Sequence, residues 1–337
     1  MSNISIIIGT LAVFTAEAEA HARPAALLGL GAAAAWGGGD FSGGMGARYA
    51  GSGIKAALRV VMASHSIGLC VMLALAFSLD GMPHWSSALA WAMAAGVTAA
   101  LALTPFYMAL ASGEMGPSAA IAGLLSALIP VAFALATEGL PGWLRLAGFA
   151  VAAVAIWMIA GRRNEHASRR TMLLAVAAGV GFGIYFIFLK MAGPAGLLWP
   201  MACVRLMSTG SSGIIYLMVV AGRKKLNHEG HEEHKERTKI ETDHRGHGEK
   251  LEYTESASAS AARFWRWSVL TACGDTVGNL LFLAATRAGR LDVAAVVASL
   301  YPASTILLAG WLLHERPTRR QALGMAAALA AVVLISL

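Results

Sequence analysis

The chain has 337 residues, of which 57% are hydrophobic and only 13% charged, and its formal net charge is +7. Soluble domains carry about 25% charged residues, so the composition excludes an ordinary soluble enzyme or binding module. It also argues against nucleic-acid binding, because the Lys and Arg residues fall between apolar stretches and no aromatic–basic surface accompanies them.

Residues 1–24 form an extension outside the core. Ile6–Phe14 is apolar but too short to span a bilayer, no basic segment precedes it, and Glu17 and Glu19 follow. A helix needs about 20 apolar residues to cross a hydrocarbon core of about 30 Å. Ten stretches meet that need: 26–50, 54–79, 87–111, 117–136, 142–161, 172–192, 196–221, 264–287, 291–313 and 317–337. Gly and Ala crowd nearly all of them, which suits close packing of helices in lipid. Cys70, Cys203 and Cys273 each lie inside a span, a spacing that supports neither a disulfide framework nor a zinc site and reads as small packing residues. Between spans seven and eight, residues 222–262 hold eight basic and nine acidic residues and little apolar bulk. They are expected to be a disordered low-complexity insertion. Its histidines (His228, His231, His234, His244, His247) sit among Lys and Glu in no single ligand geometry, so no metal site is expected.

The predicted fold is an all-α integral membrane protein whose ten transmembrane helices form two inverted five-helix repeats, 25–161 and 172–337, around a central cavity. Trp36-Gly37 precedes Phe182-Gly183 by 146 residues, and the in-span Arg59 precedes Arg205 by the same 146. Ser126 and Pro130 are echoed by Ser299 and Pro302, and Glu138 by Glu315. An odd number of spans per copy inverts the second copy, an arrangement common among secondary transporters. Arg48, Lys55, Arg162, Arg163, Arg169, Arg170, Arg223, Lys224, Lys225, Arg316, Arg319 and Arg320 outnumber Arg23, Arg145, Arg287 and Arg290 on the other side. The first set is expected to be cytoplasmic, in the inner or plasma membrane, with both termini outside.

Charges inside a bilayer cost about 2.5–3.5 kcal/mol on insertion scales and mark function. Asp40 lies midway along span one, one turn from Trp36. It reads as a carboxylate that binds a cation or carries a proton, or equally as a structural partner for an arginine. Asp275, with Thr276 beside it and Asn279 one turn on, is expected to face a cavity. Arg59 and Arg205 read as structural partners of these acids, as snorkelling residues, or as an anion site. Lys190 reads as an interfacial anchor. Trp36, Tyr107, Tyr185, Trp199 and Tyr301 could wall a site for amphipathic ligands. Ser299–Pro302 is a hinge candidate, because Pro302 leaves a carbonyl one turn earlier unpaired, and Pro130 is its counterpart.

Trp36-Gly-Gly-Gly-Asp-Phe-Ser-Gly-Gly44, Tyr107-Met-Ala-Leu-Ala111, Ser299-x-x-Pro302 and His314-Glu-Arg-Pro-Thr-Arg-Arg-Gln-Ala-Leu-Gly324 resemble EamA-type members of the drug/metabolite transporter superfamily. The likeness covers about residues 25–337 apart from the insertion. It implies ten helices, a central cavity, and export of a small metabolite, amino acid or drug by alternating access. Coupling to protons would run through Asp40 or Asp275. The expected partners are a small-molecule substrate and the bilayer, the unit is a monomer or homodimer, and no cofactor is called for. The alternative is an integral membrane enzyme acting on lipid or isoprenoid substrates. It would need a cluster of catalytic groups, whereas His65, His84, His166 and His314 are scattered and no HExxH or GxSxG motif is present.

Overall fold

The structure is a computed structural model that describes the backbone of residues 3–51, 53–112, 115–160, 168–237, 257–312 and 318–336. Side chains of 3–22, 160, 223–259 and 336 are not described. Expectations for the first 22 residues, the insertion histidines, His314, Glu315 and Pro317 therefore lie outside the described side chains.

All regular structure among the described residues is helical. The helices are α1 (Asn3–Tyr49), α2 (Gly53–Leu79), α3 (Ser87–Ala111), α4 (Met115–Thr137), α5 (Trp143–Ala160), α6 (Arg169–Ala192), α7 (Leu198–Arg237), α8 (Ala257–Ala288), α9 (Leu291–Ala298), α10 (Tyr301–Leu312) and α11 (Arg319–Ser336). Among the described residues, seven helical segments are long and apolar enough to cross a membrane: Gly53–Leu79, Ser87–Ala111, Met115–Thr137, Arg169–Ala195, Leu198–Gly222, Ser260–Ala288 and Leu291–Leu312. The other three expected spans are helices as well: α1, where the glycine cluster and Asp40 dilute the apolar run, α5, apolar over Trp143–Ile159, and α11.

Three segments differ from their expected bounds, span eight opening at Ala257 rather than at 264. Span one continues back to Asn3, through Pro24. The helix of span seven runs on to Arg237, into what the composition marks as insertion. There Glu233 precedes Arg237 by four residues, a spacing that favours helix.

Span nine is broken. Leu300 N–H donates to the Val297 carbonyl at 3.2 Å and Ala303 N–H to Leu300 at 3.0 Å, three residues back rather than four. Pro302 has no N–H with which to continue the helical pattern, so α9 ends and α10 begins at the expected hinge. Pro130, in contrast, sits within an unbroken α4.

The helices pack in pairs. The main contacts are α1 with α8, α3 with α6, α2 with α7, α5 with α11, α4 with α6, α3 with α7, α1 with α9 and α10, and α2 with α8. Exchanging α1–α5 for α6–α11, with α9 and α10 standing for one span, maps these contacts onto one another, whereas α4 with α5 and α2 with α3 have no counterpart of like extent among the described residues. At one end Trp199 Nε1–H donates to the Gly81 carbonyl (3.2 Å), and Lys190 Nζ donates to those of Thr286 (3.0 Å) and Gly289 (3.4 Å). At that end too, Arg290 donates to the carbonyls of Glu138 (2.9 Å) and Gly139 (2.7 Å). The α2–α3, α4–α5, α6–α7 and α8–α9 connections thus gather there. At the other end Ser112 Oγ lies 3.4 Å from Thr171 Oγ1, the Arg263 guanidinium sits 5.4 Å from the centre of the Tyr49 ring, and Arg320 lies 4.1 Å over Trp157.

Alanine and glycine let backbones meet. A Cβ on Gly274 of α8 would lie 2.7 Å from the Ala35 carbonyl oxygen and 2.7 Å from Gly39 N on α1. One cluster of buried side chains joins α1–α4 and α6–α10, and a second joins α1, α4, α5, α9, α10 and α11. Of the cysteines, Cys70 and Cys273 are exposed on the outer surface rather than packed, and Cys203 is half-buried.

Candidate functional site

The close approach of α1 and α8 sets Asp40 and Asp275 on walls of one small cavity of about 30 Å³, room for a water or two. Trp36 and Asp40 come from α1, His65 from α2, Ala99 and Leu103 from α3, Phe182, Tyr185 and Phe186 from α6, Arg205 from α7, Asp275 and Asn279 from α8, and Tyr301 from the start of α10. Both halves of the chain therefore build the walls.

Asp275 is saturated with partners. Its Oδ2 accepts from Arg205 Nη1 and lies 2.9 Å from His65 Nε2, and its Oδ1 accepts from Asn279 Nδ2 at 2.9 Å. Asn279 Oδ1 in turn accepts from the Tyr185 hydroxyl at 2.8 Å. Arg205, 1% exposed, also reaches Thr276 Oγ1 at 3.3 Å through Nη2. A buried ion pair survives desolvation only when its remaining valences are met in this way. Arg205 Nε and His65 Nδ1 stay buried with no hydrogen-bond partner among the described residues.

Asp40 differs. It is 8% exposed, lines the cavity, and has no hydrogen-bond or ion-pair partner among the described residues. Around it stand rings fixed by their own contacts. Trp36 stacks on Phe186 with centroids 5.2 Å apart and planes 8° from parallel, and Phe186 meets Phe282 at 4.3 Å. The Tyr301 hydroxyl donates to the Ala119 carbonyl at 3.3 Å, so its ring, not its hydroxyl, is offered to the cavity. Gly278 makes room for the Trp36 indole, since a Cβ there would lie 2.5 Å from Trp36 Cδ1.

The structure thus brings Trp36, Asp40, Tyr185, Arg205, Asp275, Asn279 and Tyr301 together and leaves the other expected residues outside the cavity. Tyr107 is buried against α1, where a Cβ on Gly43 would meet its ring. Ser299 bonds the Ala295 carbonyl (2.6 Å) and faces its repeat counterpart Ser126 at 3.1 Å. Arg59 does not join the buried acids. It lines a separate groove with Met62, Ile67, Cys70, Tyr216, Phe264 and Trp265, and donates to the Tyr216 hydroxyl at 3.3 Å. Trp199 lies at the end of the bundle against Phe77. Lys190 is more than an anchor, since besides its carbonyl partners it lies 3.5 Å from Glu138.

His65 joins the site although sequence reasoning passes it over. It lies inside an apolar span, and the rule that singles out Asp40, that in-span polar groups are costly, applies to it equally. Among the described residues no group of three or more His, Cys, Asp or Glu is arranged to hold a metal.

The EamA-like transporter family matches residues 252–337. No curated protein matches the chain. A crystal structure of another protein aligns with 92% of this chain and 95% of its own, with a TM-score of 0.60 and 15% identity, and at that identity the likeness shows the fold alone. Over residues 252–337 the chain is therefore similar to EamA-like transporters, and its long apolar helices are those of a multi-pass helical membrane protein.

Proposed function

We propose that the chain is a secondary transporter that exports a small organic solute across the inner or plasma membrane by alternating access. Its ten spans act as two inverted five-helix repeats that rock about the cavity. The observation that carries the reading is a cavity walled by both halves that holds one unpartnered carboxylate, Asp40, beside a fully paired one, Asp275. The most extensive helix contacts, which map onto one another when the halves are exchanged, support the repeat. The gathering of alternate connections at opposite ends supports inversion. The end that carries Arg48, Lys55, Arg169, Arg170, Arg319 and Arg320 is cytoplasmic on the charge rule.

Asp40 is the group that meets substrate or a coupling proton, because Asp275 already spends its valences on Arg205, His65 and Asn279. Flux of labelled solutes into proteoliposomes, measured against pH for wild type, Asp40→Asn and Asp275→Asn, tests this. Asp40→Asn should abolish flux or its pH dependence. Wild-type rates and pH profiles in both variants would end the carboxylate mechanism.

A further inference from the structure

We propose that the cavity takes an organic cation with a flat apolar body and no carboxylate, an aromatic amine or quaternary ammonium, and that Asp40 is its counter-ion. This rests on the transporter reading and narrows it to a substrate class.

Charge balance makes the case. Arg205 donates to Asp275 and Thr276 and is consumed by them. Its remaining Nε is buried, as is His65 Nδ1, and neither reaches the open space. An ionised Asp40 is then the one carboxylate of the cavity with no counter-charge among the described residues. An unpaired buried charge costs several kcal/mol, and a ligand that brings a positive charge recovers it. A carboxylate on the ligand would find no free cation, and the hydroxyls of Tyr185 and Tyr301 are already donated elsewhere. Anions and zwitterions such as free amino acids therefore fit poorly. The rest of the lining suits an aromatic cation once the halves part to admit it. Trp36, Phe182 and Phe186 offer ring surface, Ala99 and Leu103 complete an apolar wall, and aromatic faces attract cations.

Three probes that share one indole body separate the classes: tryptamine (cation), tryptophan (zwitterion) and indole-3-acetate (anion), titrated into the purified protein by calorimetry. Tryptamine should bind about 10- to 100-fold more tightly than the other two, the worth of one charged contact. Asp40→Asn should lose that preference while melting as wild type does, and Asp40→Glu should keep part of it. If Asp40→Asn does not fold, the wild-type ranking alone decides. Tryptophan or indole-3-acetate binding as tightly as tryptamine, or no binding by any probe, would overturn the cation assignment. Flux is scored separately with N,N,N-trimethyltryptammonium, whose fixed charge stops it leaking through lipid. Cation binding without flux would leave the site standing and remove the transporter reading. Flux of the zwitterion alone would do the reverse.

Discussion

Arg205 and Asp275 hold each other in place, and removing either one strands the other's charge in the interior. Breaking a buried pair costs about 3–5 kcal/mol because the survivor is left uncompensated, whereas replacing both by apolar side chains is often near neutral. Arg205→Met should therefore destabilise the protein by about that much, as read by chemical denaturation in detergent. The double variant Arg205→Met/Asp275→Leu should recover most of the loss while Asp40 still binds ligand. Additive costs in the cycle would mean the two residues do not act as a pair. The same physics explains which site residues could be read from the sequence. Asp40 and Asp275 are legible because carboxylates inside a span are costly and so seldom incidental. The fate of Arg59 is not legible. It occupies the repeat position of Arg205, but what a side chain meets depends on its neighbours: Gly68 lets α2 approach Arg205 closely, while Arg59 finds Tyr216 and an apolar groove.

At the scale of the element, small residues decide where helices can touch. Gly274 meets backbone atoms of Ala35 and Gly39, which cannot swing aside as a side-chain tip could. Gly274→Ala should cost about 1–3 kcal/mol through overpacking. Gly210, also within a helix, has nothing within 4 Å of where its Cβ would stand. Gly210→Ala should be neutral or stabilising by about 0.4–1 kcal/mol, since it only restricts the unfolded chain. Equal costs at the two sites, measured by the same denaturation, would show that helix propensity, not the α1–α8 contact, sets the outcome. Helix existence and most span limits are legible from apolar length. The unequal behaviour of the two prolines is not. At Pro302 the chain tightens by one residue, with Leu300 and Ala303 bonding carbonyls three residues back. Around Pro130, Ser126 bonds the Gly123 carbonyl and α4 runs on. A local motif of Ser and Pro is common to both, and packing against neighbouring helices separates them.

Over the whole molecule, alternating access requires the halves to separate first at one end and then at the other. Ser112 closes α3 of the first half and Thr171 opens α6 of the second, and their hydroxyl oxygens lie 3.4 Å apart at the basic end. That separation brings the two side-chain tips close enough for cysteines at both positions to be tested as a disulfide pair. In a background with Cys70, Cys203 and Cys273 replaced by alanine, oxidation of the 112–171 pair should pin the halves at the basic end. Flux in proteoliposomes should fall to the level of protein-free vesicles and return when the bond is reduced. Equilibrium binding of a cation should persist in the locked protein, because Trp36, Asp40 and Tyr301 lie away from that end. Undiminished flux with the bond fully formed would mean that the halves do not part at the basic end, and the rocking mechanism would have to give way to one in which smaller elements, such as α9 and α10 around Ser299, open the cavity alone.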